Sequence, residues 1–122
     1  MRIERELMRG AGPLAVLKLL EGGEMYGYEL VEALRKRSAG VLDMGQSTLY
    51  PLLYNLEAKK LVRSRWRESS SGRRRKYYAL TARGTARLAS KTSQWQSLAA
   101  TMEALGVIGE RRPAAGVREA TA

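Results

Sequence analysis

Near residue 61 the chain changes its period. From Gln46 to Lys60 the apolar residues Leu49, Leu52, Leu53 and Leu56 recur at the three-and-four spacing of one helix face. From Leu61 to Arg67 the spacing becomes two, with Val62, Ser64 and Trp66 alternating with Arg63, Arg65 and Arg67, which predicts a strand with an arginine face. Glu68-Ser69-Ser70-Ser71-Gly72 is a turn by composition, and Arg73 to Leu80 returns as a second strand carrying Tyr77, Tyr78 and Leu80. A basic β-hairpin behind helical segments leaves few architectures open to a chain of this size.

Charge is concentrated in the same place. The chain carries a net +10 from 22 Lys and Arg against 12 Asp and Glu. Residues 59–76 hold nine of the basic side chains and a single acidic one, Glu68, whereas residues 1–58 come to −1 and residues 77–122 to +3. A local cationic patch on a balanced chain is the footprint of a polyanion partner, because each phosphate neutralised releases condensed counterions. The competing explanations are a solubilising surface or a patch for acidic lipids, and the organisation of the helices favours nucleic acid over both.

At 122 residues with 44 % hydrophobic content the chain fits one modest core. It has neither cysteine nor histidine, which makes disulfide, thiol, imidazole and zinc chemistry poor expectations, so no metal and no cofactor is predicted. Glu4, Glu6, Glu21, Glu24, Glu29 and Glu32 read as solvated helix charges, and Gly10-Ala11-Gly12 and Gly22-Gly23 border helices rather than following a strand, so the chain is not expected to be an enzyme. The longest apolar run, Pro13 to Leu20, is interrupted by Lys18 and is shorter than the ~20 residues of a membrane span. No membrane partner is expected, and the cytoplasm is the expected location.

The spacing predicts four principal helices. Residues 1–9 form an N-terminal extension or short helix, ended by Gly10-Ala11-Gly12. Pro13 then opens helix 1, which runs to about Glu21. Helix 2 covers about Tyr26 to Arg37, with its acids early and its bases late, in accord with the helix dipole. Helix 3 covers about Gln46 to Lys60, and Pro51 favours a late start near Ser47 or Thr48. Thr81 caps a last helix running to about Leu105. On this last helix Leu88, Trp95 and Met102 recur every seven residues, interleaved with Leu98 and Leu105, a stripe that needs a partner helix and implies a homodimer. The division is therefore 1–80 as a DNA-binding domain, 81–109 as a dimerisation helix and 110–122 as a disordered tail.

The layout is mainly α with a small β-hairpin, a winged helix-turn-helix plus a C-terminal dimerisation helix. Helix 3 turns Gln46, Ser47, Thr48, Tyr50 and Tyr54 away from its leucines, an uncharged hydrogen-bonding face suited to base edges in a major groove. The wing and its flank offer Arg63, Arg65, Arg73, Arg74, Arg75 and Lys76 to phosphates, about half of the last four on each face of the strand. Trp66 is expected to pack the wing against the core. Of Tyr77 and Tyr78 one is expected against the helices, leaving the other to reach DNA, and Tyr28 is expected to wedge helix 2 on the core. The alternative is a non-specific architectural DNA- or RNA-binding protein using the same wing, against which the uncharged face of helix 3 argues.

Gly12-Pro13-Leu14, Tyr26-Gly27-Tyr28-Glu29-Leu30, Ser47-Thr48-Leu49-Tyr50-Pro51-Leu52-Leu53, Leu56-Glu57, Gly72-Arg73-Arg74-Arg75-Lys76-Tyr77-Tyr78, and Leu80-Thr81 with Gly84 together resemble the PadR-like transcriptional regulators. The resemblance spans about residues 10–105. It implies a homodimeric winged-helix protein, usually a repressor of detoxification, phenolic-acid or multidrug-efflux genes, bound to a palindromic double-stranded operator. It also implies the short form with one dimerising helix. In one multidrug-binding branch, paired tryptophans on the last helix sandwich flat aromatic ligands, and Trp95 stands at the matching place. Trp95 is thus the candidate for a pocket taking a small aromatic or hydrophobic effector, and dimer-core packing is its competing role.

Overall fold

The computed structural model describes residues 2–109; the expectation for a tail from 110 onward lies outside them. The elements are α1 (Arg5–Leu20), β1 (Met25–Tyr26), α2 (Gly27–Arg37), α3 (Gln46–Ala58), β2 (Val62–Glu68), β3 (Arg74–Leu80) and α4 (Ala82–Ala104). Four helices and a small antiparallel sheet of order β1-β3-β2 make the winged-helix architecture expected from the period change.

In the first part of the chain two expectations need correction. The predicted break at Gly10-Ala11-Gly12 is absent, and α1 is continuous from Arg5 with Pro13 inside it. Each glycine costs about 1 kcal/mol in a helix and an internal proline about 3, so propensity alone argues for the break. Tertiary packing overrides it: Gly12 is buried, and a Cβ there would stand 3.3 Å from the Leu52 side chain and 3.4 Å from Met44. The small residue lets α1 lie close to α3. The second correction is a third strand, β1, whose Met25 pairs with Tyr78 and Tyr26 with Tyr77.

The core gathers Val16, Leu17 and Leu20 of α1, Leu30 and Leu34 of α2, Leu49, Leu53 and Leu56 of α3, Leu61 and Val62 at the hairpin base, Tyr78 and Leu88. Leu88 is 3 % exposed within this core, which corrects its assignment to a dimer interface. Its seven-residue relation to Trp95 is real, but the first turns of α4 serve the chain's own interior. Accordingly the first compact unit extends through Lys91, past the boundary read at residue 80.

A hydrogen-bonded joint ties the hairpin base together. Thr81 Oγ1 accepts from the Gly84 N–H at 2.9 Å, capping α4 as expected, and donates to the Lys60 carbonyl at 2.7 Å. The Thr81 N–H donates to the Leu61 carbonyl at 3.1 Å. Gly84 rests on that same Leu61 carbonyl so closely that any Cβ would collide with it. This is the physical reason for glycine one turn into α4.

The second compact unit begins at Thr92 and contains the rest of α4. The helix ends at Ala104, and just past it Gly106 takes a φ of +83° while the Val107 N–H donates to the Met102 carbonyl at 2.8 Å. Trp95, Leu98 and Leu105 are exposed here, with Met102 partly buried. Among the described residues no helix is long and apolar enough to cross a membrane.

Candidate nucleic-acid interface

The N-cap of α3 is Gly45, which supplies no side-chain hydrogen bond, and no acidic residue stands in the helix's first turn, whereas Glu6 and Glu29 stand in those of α1 and α2. The positive end of its dipole is therefore left to whatever anion approaches. Leu49, Leu53 and Leu56 are buried, which turns Gln46, Ser47, Thr48, Tyr50, Tyr54 and Asn55 to the exposed side. Of the two tyrosines Tyr54 is the more open, at 73 %. α3 starts at Gln46 despite Pro51, which costs the Ser47 carbonyl its helical donor.

Tyr50 is not only a surface residue. Its ring and hydroxyl lie against the backbone of Gly27, where a Cβ would collide with them. Tyr50 therefore spaces α3 from the start of α2 while leaving part of its ring open. The same α2 terminus is fixed by Glu29, whose carboxylate accepts from the Tyr26 N–H at 3.1 Å. Tyr28 points outward and is exposed, which corrects its expected role as a wedge on the core.

The strand register sorts the wing residues onto two faces. Val62, Ser64, Trp66 and Glu68 share the helix-facing side with Leu80, Tyr78, Lys76 and Arg74, and Arg63, Arg65 and Arg67 share the outer side with Ala79, Tyr77 and Arg75. On the helix-facing side Ser64 Oγ donates to Glu57 Oε2 at 2.6 Å, pinning the strand to α3. Tyr78 is buried there, and burial, with the nearby Glu57 carboxylate adding to it, raises its hydroxyl pKa above the ordinary 10.0.

The outer side is a layered arginine–tyrosine stack. The Arg67 guanidinium lies 3.8 Å from the Tyr77 ring centroid and that of Arg75 4.4 Å from Tyr26, while the two tyrosine rings meet edge to face at 5.4 Å. Glu24 closes the stack: its carboxylate accepts from Arg65 Nη2 at 2.9 Å, Arg65 Nε at 3.2 Å and Arg67 Nε at 2.9 Å. The Arg65 hydrogen bond holds the Glu24 pKa below the ordinary 4.5, with Arg67 assisting, and Glu24 in turn raises that of Arg65.

Three sequence readings change as a result. Tyr77 and Tyr78 are both buried, on opposite faces, because the arginines cover the outer ring; neither is free to reach outward. Trp66 is 58 % exposed rather than packed on the core, with the Arg74 guanidinium 5.9 Å from its ring. Glu24 is not a solvated helix charge but the partner of two wing arginines. Sequence reasoning missed that role because 41 residues separate Glu24 from Arg65 and no periodicity spans them; its place just outside a helix, beside Met25-Tyr26, was the available signal. Arg63, Arg73 and Arg74 are exposed, and Lys76 lies over Tyr78 at 5.8 Å.

The uncharged polar face of α3 thus stands beside a cationic hairpin, and residues 16–90 match the Transcriptional regulator PadR-like family. The chain belongs to that family. This PadR-like regulator is similar to a transcriptional regulator from Streptococcus, 36 % identical with a TM-score of 0.76, over 84 % of this chain and 99 % of that one. It is also similar to a PadR-like transcriptional regulator from Bacillus cereus, at 30 % identity and TM-score 0.76 over 86 % and 99 % of the two chains. An uncharacterized protein of Lysinibacillus sphaericus is 28 % identical over 93 residues, 76 % of this chain and 85 % of that one. PadR-like proteins are DNA-binding transcriptional regulators, not enzymes, and so is this one. A cavity of about 190 Å³ opens between α1 and α2, with Ala15, Leu19, Leu34 and Leu42 in its lining; Trp95 does not line it.

Proposed function

We propose that this PadR-like regulator is a homodimeric repressor of a palindromic operator. Two copies of α3 enter successive major grooves, where Gln46, Ser47, Thr48, Tyr50 and Tyr54 meet base edges and neighbouring phosphates, and the wings hold the flanking backbone. The dimer forms through the α4 stripe of Trp95, Leu98, Met102 and Leu105. The observation that carries this reading is the exposed face of α3: a purely electrostatic binder needs Lys and Arg there, and this helix has hydrogen-bonding and aromatic side chains instead. Trp95, 41 % exposed, offers a ring face on which a flat aromatic effector stacks, biasing the protomers against the operator-bound arrangement.

The test is a titration of the protein against duplex DNA from its own upstream promoter, with random duplex of equal length as competitor, at two salt concentrations. Saturable binding of two chains per site that survives competitor is the expected result. Equal, steeply salt-dependent binding to both duplexes overturns the sequence-specific reading in favour of an architectural protein. Tyr54→Ala should cost promoter binding more than random binding, by about tenfold for one lost base contact.

A further inference from the structure

The wing's two faces differ in how their cations are engaged. On the outer face Arg65 and Arg67 are held by Glu24, Arg67 and Arg75 lie on tyrosine rings, and Tyr77 beneath them is buried. On the helix-facing side Arg74 and Lys76 form no ion pair among the described residues, although Glu68 stands opposite Arg74 in the register. On β2 beside them stands Trp66, directly opposite Lys76 in the register and with its ring 5.9 Å from the Arg74 guanidinium. The indole lies one same-face position beyond Ser64, the last residue of β2 pinned to α3.

We propose that Trp66, together with Arg74 and Lys76, is the part of the wing that contacts duplex DNA, whereas Arg65 and Arg67 orient the hairpin and do not touch phosphate. The proposal rests on the DNA-binding reading above. Arg74 and Lys76 bond phosphates on either side of a groove, and the indole covers the apolar deoxyribose edge between them, a surface that a cation alone cannot cover. The charge fits this occupant: nine basic side chains against one acidic one lie within residues 59–76. Glu24 is then a positioning residue, since it fixes the outer face and thereby the direction in which Trp66 points.

Trp66 and Trp95 are the only tryptophans in the chain, so DNA binding can be followed through their emission. Wild type and Trp66→Phe are titrated with labelled promoter and random duplexes, following label anisotropy and tryptophan emission together. In wild type, emission should change in parallel with anisotropy on both duplexes, and in Trp66→Phe binding should persist without the emission change. Trp66→Ala should weaken both duplexes alike by about tenfold. Arg74→Gln and Lys76→Gln should each lower the salt slope by about one, and Arg65→Gln should leave the slope unchanged.

Binding with no emission change in wild type, or a change that survives in Trp66→Phe, overturns the proposal. So does a slope that falls with Arg65→Gln and not with Arg74→Gln. A larger emission response to single-stranded DNA than to duplex points to base stacking and overturns it as well. Absence of any anisotropy change with either duplex is a separate outcome, which sinks the DNA-binding reading and this proposal with it.

Discussion

The two sides of the hairpin solve one problem in opposite ways. Both carry aromatic rings and cations at alternate positions of the same two strands. The side turned toward α3 buries Tyr78 in the leucine core and leaves Trp66 open farther out. On the outer side the arginines Arg63, Arg65 and Arg67 are exposed, and Tyr77 is nevertheless just as buried, under guanidinium groups that Glu24 holds in place. An arginine stem can therefore act as a roof, provided its charge finds a partner and its plane finds a ring. Counting arginines as phosphate contacts misjudges such a surface, because part of the +10 is structural.

The largest effect that bears on this contrast is the loss of an outer ring. Tyr77→Ala is expected to destabilise the protein by about 3 kcal/mol, as a core aromatic does, while Tyr77→Phe stays close to wild type in urea unfolding. A cost for Tyr77→Ala similar to that of an ordinary surface substitution breaks the claim that the outer side is a packed layer.

Acid and alkali should separate the two sides next. The Glu24 pKa is lowered in the fold, so below the ordinary 4.5 the unfolded chain binds more protons than the folded one. The contribution of Glu24 is present above that pH and is lost as pH falls through its folded value. The Tyr78 pKa is raised, so the unfolded chain releases its proton first, and stability falls as pH rises past 10.0. In thermal melts Glu24→Gln should flatten the acid limb and Tyr78→Phe the alkaline limb. If each substitution changes the other's limb instead, the two faces are coupled and the contrast fails.

The smallest effect sharpens the comparison from the open side. Trp66→Ala removes the largest side chain type in the protein, yet it should shift stability by no more than about 0.5 kcal/mol, because no core partner is lost. A much larger loss in unfolding measurements indicates that the indole is packed after all.

The sequence made legible whatever depends on neighbours along the chain. The change of period at Leu61 located the hairpin, Thr81 announced the cap of α4, and the leucine spacing of α3 separated its buried from its exposed side. What it concealed depends on residues far apart. The pairing of Met25-Tyr26 with β3 is two residues long and is stabilised by the Tyr26–Tyr77 contact, which no local pattern encodes. The continuity of α1 through Gly12 and Pro13 follows from packing on Leu52 and Met44, against local propensity. Leu88 lies in phase with the exposed stripe of α4 but early enough in the helix to sit over the core, and spacing carries no information on where a core stops. Trp66 misled for a similar reason: hydrophobicity says what a side chain prefers, and the length of a strand beyond its support decides what it gets.

The joint formed by Thr81, Gly84 and the Lys60 and Leu61 carbonyls closes the hairpin where it leaves the body of the protein. With both ends clamped there, the five residues between Glu68 and Arg74 are a detachable tip in the thermodynamic sense. Doubling a loop's length adds only about 0.6 kcal/mol of closure entropy. Insertions and deletions at the tip are thus nearly free for the fold while they change how far the wing extends, so reach along a DNA duplex can diverge between relatives without any change to the body that carries it.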